Sequence, residues 1–161
     1  MTIAIYPGTF DPITKGHLDI ATRAASLFEK LIIGVYDTPN KRLLFTTNER
    51  VELVRQAVAG LPNVEVKAFP ELTVNFAIKV GAKVMVRGLR AGADFEREFE
   101  MAMLNKKLSP ELELVCLMSK LEYQFLSSSL LKETASLGGN VKNWLPSHVA
   151  EALRKKIQSS Q

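Results

Sequence analysis

Tyr6-Pro7-Gly8-Thr9-Phe10-Asp11-Pro12-Ile13-Thr14-Lys15-Gly16-His17 links a short apolar run at the N-terminus to an amphipathic stretch that begins near Gly16. A strand, a glycine-containing turn and a helix start in that order make an anion-binding arrangement. Backbone N–H groups are left over there, and the positive end of the helix dipole favours phosphate. Thr14 is the expected N-cap, which puts His17 in or near the first helical turn. A lone histidine is more often structural, but in this place His17 is read as a hydrogen-bond donor to a phosphate oxygen. Thr9 follows Gly8, where the backbone can approach a ligand closely. It either holds an attacking phosphate or makes only a turn hydrogen bond. Asp11, before Pro12, reads as a turn initiator.

Downstream, apolar β-rich runs alternate with helical patterns. Strands are predicted at Thr2–Tyr6, Leu31–Tyr36, Val64–Phe69, Lys83–Val86 and Leu112–Met118. Most are continuously apolar, as expected when both faces of a sheet are covered. Helices are predicted at Gly16–Phe28, Asn48–Ala59, Val74–Val80, Ala93–Leu108, Ser128–Ser136 and Ser147–Ile157. Thr46-Thr47-Asn48-Glu49 has the pattern of a capping box, and Pro146 leads into the last helix. The alternation predicts an α/β fold: a Rossmann-like, doubly wound, five-stranded parallel sheet with a C-terminal helical extension. Ligands of such sheets bind beyond the carboxyl ends of the strands. The segments leaving those ends carry Thr9, His17, Lys41, Arg42, Arg87, Arg90 and Ser127–Ser129, so phosphate-binding chemistry converges on one rim.

Composition narrows the alternatives. With 161 residues and 47% hydrophobic content, one domain with a full core is expected. No apolar run reaches the length of a membrane span and no signal-type segment leads the chain, so neither membrane nor export is expected. Cys116 is the single cysteine, which excludes a disulfide framework and fits a reducing cytoplasm. Its apolar neighbours predict a buried strand residue. The net charge of +4 is spread along the chain, with paired basic residues only near helix C-termini, so nucleic acid is not the expected partner.

Most of the remaining candidates have two readings. The polar loop Asp37–Arg42 is a solvated connection, or a clamp that delivers Lys41 to developing charge. Arg87, after an apolar strand and before Gly88, suits bidentate phosphate binding, or it pairs with Asp94 or Glu98. Glu98 interrupts the amphipathic pattern of its helix and needs a partner, either an arginine, the first choice, or a ligand hydroxyl or amine. Ser127-Ser128-Ser129 opens a helix as a polar cap or cradles a triphosphate. His148 reads as a surface residue.

The set Tyr6-Pro7-Gly8-Thr9-Phe10-Asp11-Pro12, Thr14-Lys15-Gly16-His17, Val86-Arg87-Gly88-Leu89-Arg90 and Leu126-Ser127-Ser128-Ser129 resembles the bacterial phosphopantetheine adenylyltransferases. These belong to a nucleotidyltransferase superfamily marked by (H/T)-x-G-H and a later I-S-S-(S/T). The resemblance runs from about Ile3 to Leu153, and the ordered set is far more specific than T-x-G-H alone. It implies a single nucleotidyltransferase domain over 1–161, with its C-terminal helices at about 128–157. It also implies a Mg²⁺-dependent reaction in which ATP and 4′-phosphopantetheine give dephospho-coenzyme A and pyrophosphate.

By that resemblance, Thr9, His17, Lys41 and Arg87 are the catalytic set. Thr9, Lys41, Thr73 and Arg87 contact the acceptor. Thr9, Phe10, His17, Gly88, Leu89, Arg90, Glu98, Tyr123, Gln124, Phe125, Leu126, Ser127, Ser128 and Ser129 hold ATP. No residue is assigned as a metal ligand. The family resemblance further implies a homohexamer and binding of coenzyme A. Leu126 stands for the usual isoleucine, and Lys132 stands where the superfamily often has arginine, keeping charge but losing the planar fork. Two other classes stay open at this level: a relative with another phosphorylated acceptor or CTP, and a non-catalytic nucleotide-binding module.

Overall fold

In the computed structural model, which describes residues 1–37, 42–90 and 92–159, strands form at Ile3–Gly8 (β1), Lys30–Tyr36 (β2), Val64–Phe69 (β3), Val84–Leu89 (β4) and Glu113–Met118 (β5). All pair in parallel, in the spatial order β3-β2-β1-β4-β5. That is the doubly wound sheet the alternation predicts, with its order reversing between β1 and β4.

Helices α1 (Lys15–Leu27), α2 (Thr47–Ala57), α5 (Ser128–Ser136) and α6 (Ser147–Gln158) share one core with one face of the sheet. Ala4, Leu31, Ile33 and Val35 meet Ile20, Ala24, Val54, Leu131, Val149 and Leu153 there. On the opposite face Ile5, Ile32, Phe69 and Met85 pack with Val74, Phe76 and Ala77 of α3 (Thr73–Lys79). Residues on successive strand positions thus enter opposite cores, which is why the central strands read as unbroken apolar runs. Truncating a buried side chain such as Ile33 to alanine costs about 2–5 kcal/mol.

α4 (Gly92–Leu108) is different: Phe95, Phe99, Met101, Met103, Leu104 and Leu108 are all exposed. It lies beside β5, an edge strand whose residues are exposed or half-buried. Cys116 is therefore exposed, not the buried strand residue its apolar neighbours predict. Hydropathy does not distinguish an edge strand from a central one, because only the strand order does. His148 departs from expectation in the other direction. It is half-buried, and its Nε2 lies 3.0 Å from the Leu53 carbonyl, joining α6 to α2.

Helix boundaries fall within about two residues of expectation, but β1 and β4 run further. β1 continues through Pro7 and Gly8, paired with Gly34 and Val35, and β4 continues through Arg87, Gly88 and Leu89, paired with Cys116, Leu117 and Met118. Arg87 thus sits within a strand and not after it. β1 and β4 pair only at Ala4–Val84 and Ile5–Met85. Beyond Ile5 they part, and a crevice opens at the switch point where ligands of such sheets bind. Among the described residues no helix is long and apolar enough to cross a membrane.

Candidate active site

The crevice between the ends of β1 and β4 is a cleft of about 390 Å³. Thr9, Phe10, His17, Arg87, Gly88, Arg90, Glu98, Tyr123, Leu126, Ser127, Ser128 and Ser129 all line it. Residues separated by more than a hundred positions are thereby brought to one rim. Leu89 is buried in β4, and Gln124, Phe125 and Thr73 do not line the cleft; Phe125 stands edge-on to Trp144 instead. Lys41 lies outside the described residues.

The β1–α1 turn is built tightly. Phe10 has φ of 50°, uncommon for a residue with a Cβ, and its ring folds back beneath Gly8. A Cβ on Gly8 would lie 3.0 Å from that ring, closer than ordinary contact, so a larger residue here would have to push the Phe10 ring aside. Phe10 also meets His17 edge-on at 5.2 Å.

Thr14 is the N-cap, as expected, and His17 occupies the third helical position. The Thr14 hydroxyl accepts the His17 N–H at 3.2 Å, and His17 Nδ1 accepts the Thr14 N–H at 3.1 Å. This is a capping box with histidine in the place usually held by glutamate or glutamine. The bond has a chemical consequence: Nδ1 is the acceptor, so the neutral ring carries its proton on Nε2. Burial, with the charges of Arg90 and Arg87, holds the imidazole pKa down to about 4. His17 is accordingly a neutral donor in a cleft otherwise furnished with full charges.

Those charges are paired. Arg87 sends Nε and an Nη to Glu98 at 2.7–3.0 Å and its other Nη to the Pro7 carbonyl at 2.9 Å, spanning the gap between the parted strands. Burial would weaken the guanidinium charge, but Glu98 more than offsets it and holds Arg87 firmly protonated. Of the two carboxylates open to Arg87 from sequence, Glu98 is its partner. Asp94 instead takes Arg90, at 3.0 Å, and the Arg90 guanidinium also reaches the Leu126 carbonyl at 2.6 Å.

At the other wall, the Ser127 hydroxyl caps α5 by accepting the Leu130 N–H at 3.1 Å, and the Ser128 hydroxyl donates to the Pro12 carbonyl at 2.8 Å. The N-termini of α1 and α5 are tied together by that bond. Two sets of helix-end amides therefore face one cleft, which is a strong arrangement for a polyanion.

Asp11 is more than a turn initiator. It is buried, and its carboxylate accepts the Leu44 N–H at 3.0 Å, the Phe45 N–H at 2.9 Å and the Lys132 ammonium at 2.5 Å. Burial pushes its pKa up, but these three donors outweigh that and hold it below the usual carboxylate range. Sequence reasoning missed this hub because two of its partners are backbone amides 33 and 34 residues away. Nothing local marks such a contact.

A second cavity, of about 350 Å³, lies between α4 and the β4–β5 edge. Met85, Phe95, Phe99, Met103, Leu114 and Cys116 make it largely apolar, and Asn105 adds an amide. Glu98 lines both cavities, so the Arg87–Glu98 pair stands where they meet.

The cytidylyltransferase-like family model matches residues 5–134. The chain is 51% identical over its full length to a phosphopantetheine adenylyltransferase of Herpetosiphon aurantiacus, covering 98% of that protein. It is 52% identical, over 98% of this chain and 99% of the relative, to the protein of that name in Dehalococcoides mccartyi. With the one in Heliobacterium modesticaldum it shares 53%, over 97% of this chain and 93% of the relative. Two solved structures share the fold with a TM-score of 0.73. One is a bifunctional NMN adenylyltransferase/ADP ribose pyrophosphatase from Francisella tularensis, at 17% identity over 98% of this chain and 50% of that one. The other is a Vibrio parahaemolyticus protein whose name proposes a nicotinate-nucleotide adenylyltransferase, at 18% over 95% and 99%. A family model spanning most of the chain, and relatives alike at half of all positions from end to end, place this chain in the phosphopantetheine adenylyltransferase family of cytidylyltransferase-like proteins.

Proposed function

We infer that this chain transfers the adenylyl group of ATP to 4′-phosphopantetheine, giving dephospho-coenzyme A and pyrophosphate, a step of coenzyme A biosynthesis. The observation that carries the chemistry is the meeting of two capped helix N-termini with His17, Arg87 and Arg90 in one cleft.

The reaction needs no protein nucleophile. A phosphate monoester has its second pKa at about 6, so near neutral pH the acceptor is already an ionised nucleophile. The protein has to bring two polyanions together in line and stabilise charge at the α-phosphate. We assign the Nε2–H of His17 to an α-phosphate oxygen, where a neutral donor strengthens its bond as charge builds. Thr9 orients the attacking phosphate through its hydroxyl. Arg87 and Lys41 hold that phosphate, with Arg87 pre-aimed by Glu98 and Pro7. Phe10, Gly88, Arg90, Glu98, Tyr123, Leu126 and Ser127–Ser129 hold ATP, its β- and γ-phosphates toward Ser127–Ser129; Leu89, Gln124 and Phe125, which do not line the cleft, are kept as ATP contacts on resemblance alone. The apolar cavity beyond Glu98 suits the acceptor's long amide-bearing arm. Thr73, which lines neither cavity, is kept as an arm contact on resemblance alone.

The family's Mg²⁺ fits this cleft as an ion carried by the triphosphate. Among the described residues no cluster of three metal-binding side chains exists, and Asp11, Asp94 and Glu98 each already hold a cation. Phosphate oxygens and water are the usual ligands of Mg²⁺ in such sites. Bound there, it would supply charge neutralisation to the triphosphate and to the departing pyrophosphate. We further propose a homohexamer in the cytoplasm, with coenzyme A as a further ligand. The apolar side chains that α4 exposes beside the β5 edge support assembly.

The test is to mix the protein with ATP, Mg²⁺ and phosphopantetheine and measure pyrophosphate release. Nicotinamide mononucleotide with ATP, and glycerol phosphate with CTP, are run beside it. Faster release with either rival pair would overturn the assigned substrates.

A further inference from the structure

Arg50, in the first turn of α2, is the largest fully buried side chain among the described residues, and it does not line the cleft. One Nη donates to the Thr9 carbonyl at 2.7 Å and to the Tyr36 carbonyl at 2.8 Å. The other donates to the Thr47 hydroxyl at 2.9 Å and to the Asp37 carbonyl at 3.4 Å. Its Nε is buried without a partner, and among the described residues no carboxylate lies within salt-bridge distance. The Asp37 carboxylate takes the Thr47 hydroxyl instead. A buried cation with an orphaned N–H costs stability that an apolar side chain of similar size would not.

What the charge does is visible at Thr9. The plane of the Thr9–Phe10 peptide is set by ψ of Thr9 and φ of Phe10, and Phe10 holds φ at 50°. A non-glycine residue keeps such a conformation only where its surroundings over-determine it. A donor on the Thr9 carbonyl fixes that plane directly. The same planar fork grips the end of β2, so the turn is locked both in conformation and in place.

We propose that Arg50 is a positioning residue for adenylyl transfer, holding the Thr9–Phe10 peptide so that the Thr9 hydroxyl meets the reacting phosphates without reorganisation. The proposal rests on the reaction assigned above. Arg50→Lys keeps a buried cation but cannot span four acceptors. It is expected to lower kcat about 100-fold while affinity for a non-hydrolysable ATP analogue stays within about threefold, because small misplacements of reacting groups cost rate more than binding. In a Thr9→Ala background the same substitution should lose less than about threefold more, since its route is already gone. Thr47→Val, which keeps the charge and removes one acceptor, gives the same split at smaller size and decides the matter if Arg50→Lys does not fold.

Equal losses in both backgrounds, a folded Arg50→Lys with normal kcat, or a loss that appears in ATP affinity would each overturn the proposal. The three-bond coupling between the Phe10 amide and α protons reports φ of Phe10 and needs no substrate. A changed coupling in Arg50→Lys or Thr47→Val supports the lock, and an unchanged one refutes it. A wild type that releases no pyrophosphate would defeat the assigned reaction and leave the Phe10 coupling to judge Arg50.

Discussion

Replacing His17 separates two jobs that the structure gives to one side chain. Its Nδ1 completes the cap of α1, and its Nε2–H is the donor assigned to the α-phosphate. His17→Ala removes both. The lost cap bond is worth about 1 kcal/mol, and the edge contact with Phe10 about 1 kcal/mol more. For a chain of this size Tm moves by about 2–4 °C per kcal/mol, so a fall of about 4–8 °C is expected. The missing donor should lower kcat by about 10²–10³, the usual cost of deleting one donor to developing charge.

His17→Glu is the informative partner. Glutamate at this position accepts the Thr14 N–H, as in an ordinary capping box, and its charge suits a helix N-terminus. Stability should return to within about 1 kcal/mol of wild type. Turnover should not return, because a carboxylate accepts but does not donate at neutral pH. Thermal unfolding and pyrophosphate release on the same preparations read the two effects separately. If His17→Glu turned over within about tenfold of wild type, the donor role would be refuted; if His17→Ala kept its Tm, the cap would be refuted.

The His17 ring should titrate in the free protein with a midpoint near 4 instead of 6.5, as the Nε2–H tautomer, in an NMR pH series. The neutral form is favoured by folding, so stability falls as pH drops from 6.5 toward about 4. A midpoint near 6.5 would show that burial and the Arg90 and Arg87 charges do not act on it. Asp11→Asn should cost about 3 kcal/mol at pH 7, because it leaves the Lys132 ammonium without its buried partner. Asp11 has a lowered pKa, so its contribution is complete above about pH 4 and is lost as pH falls through the folded value. The gap to wild type in denaturant unfolding should therefore narrow in acid, and a gap that stays constant would contradict the pairing. Lys41→Ala should lose kcat by at least about tenfold with Tm unchanged; a change confined to Tm would make the lysine structural.

Much of the site is legible from the chain alone because its chemistry is local. Gly8 before Thr9, Thr14 three residues before His17, and Ser127 opening a helix are read within a single turn, where spacing and side-chain type determine the geometry. The continuous apolar runs likewise reveal a sheet covered on both faces, and their alternation with helices gives its class. Three things escaped local reading. Histidine in the glutamate place of a capping box hid the tautomer of His17. The strand order left β5 at an edge, which exposed Cys116 despite its apolar neighbours.

Long-range partners were the third. The sequence by itself determined which groups were available: two helix N-termini, a histidine, arginines after an apolar run, and carboxylates to balance them. Only the tertiary structure decided who meets whom. Arg87 chose Glu98 over Asp94, Asp11 joined Lys132 to the Leu44 and Phe45 amides, and Arg50 was buried against Thr9. The physical reason is that hydrogen-bond partners 11 to 121 residues apart are selected by how strands part and helices pack. Composition and periodicity carry no record of that.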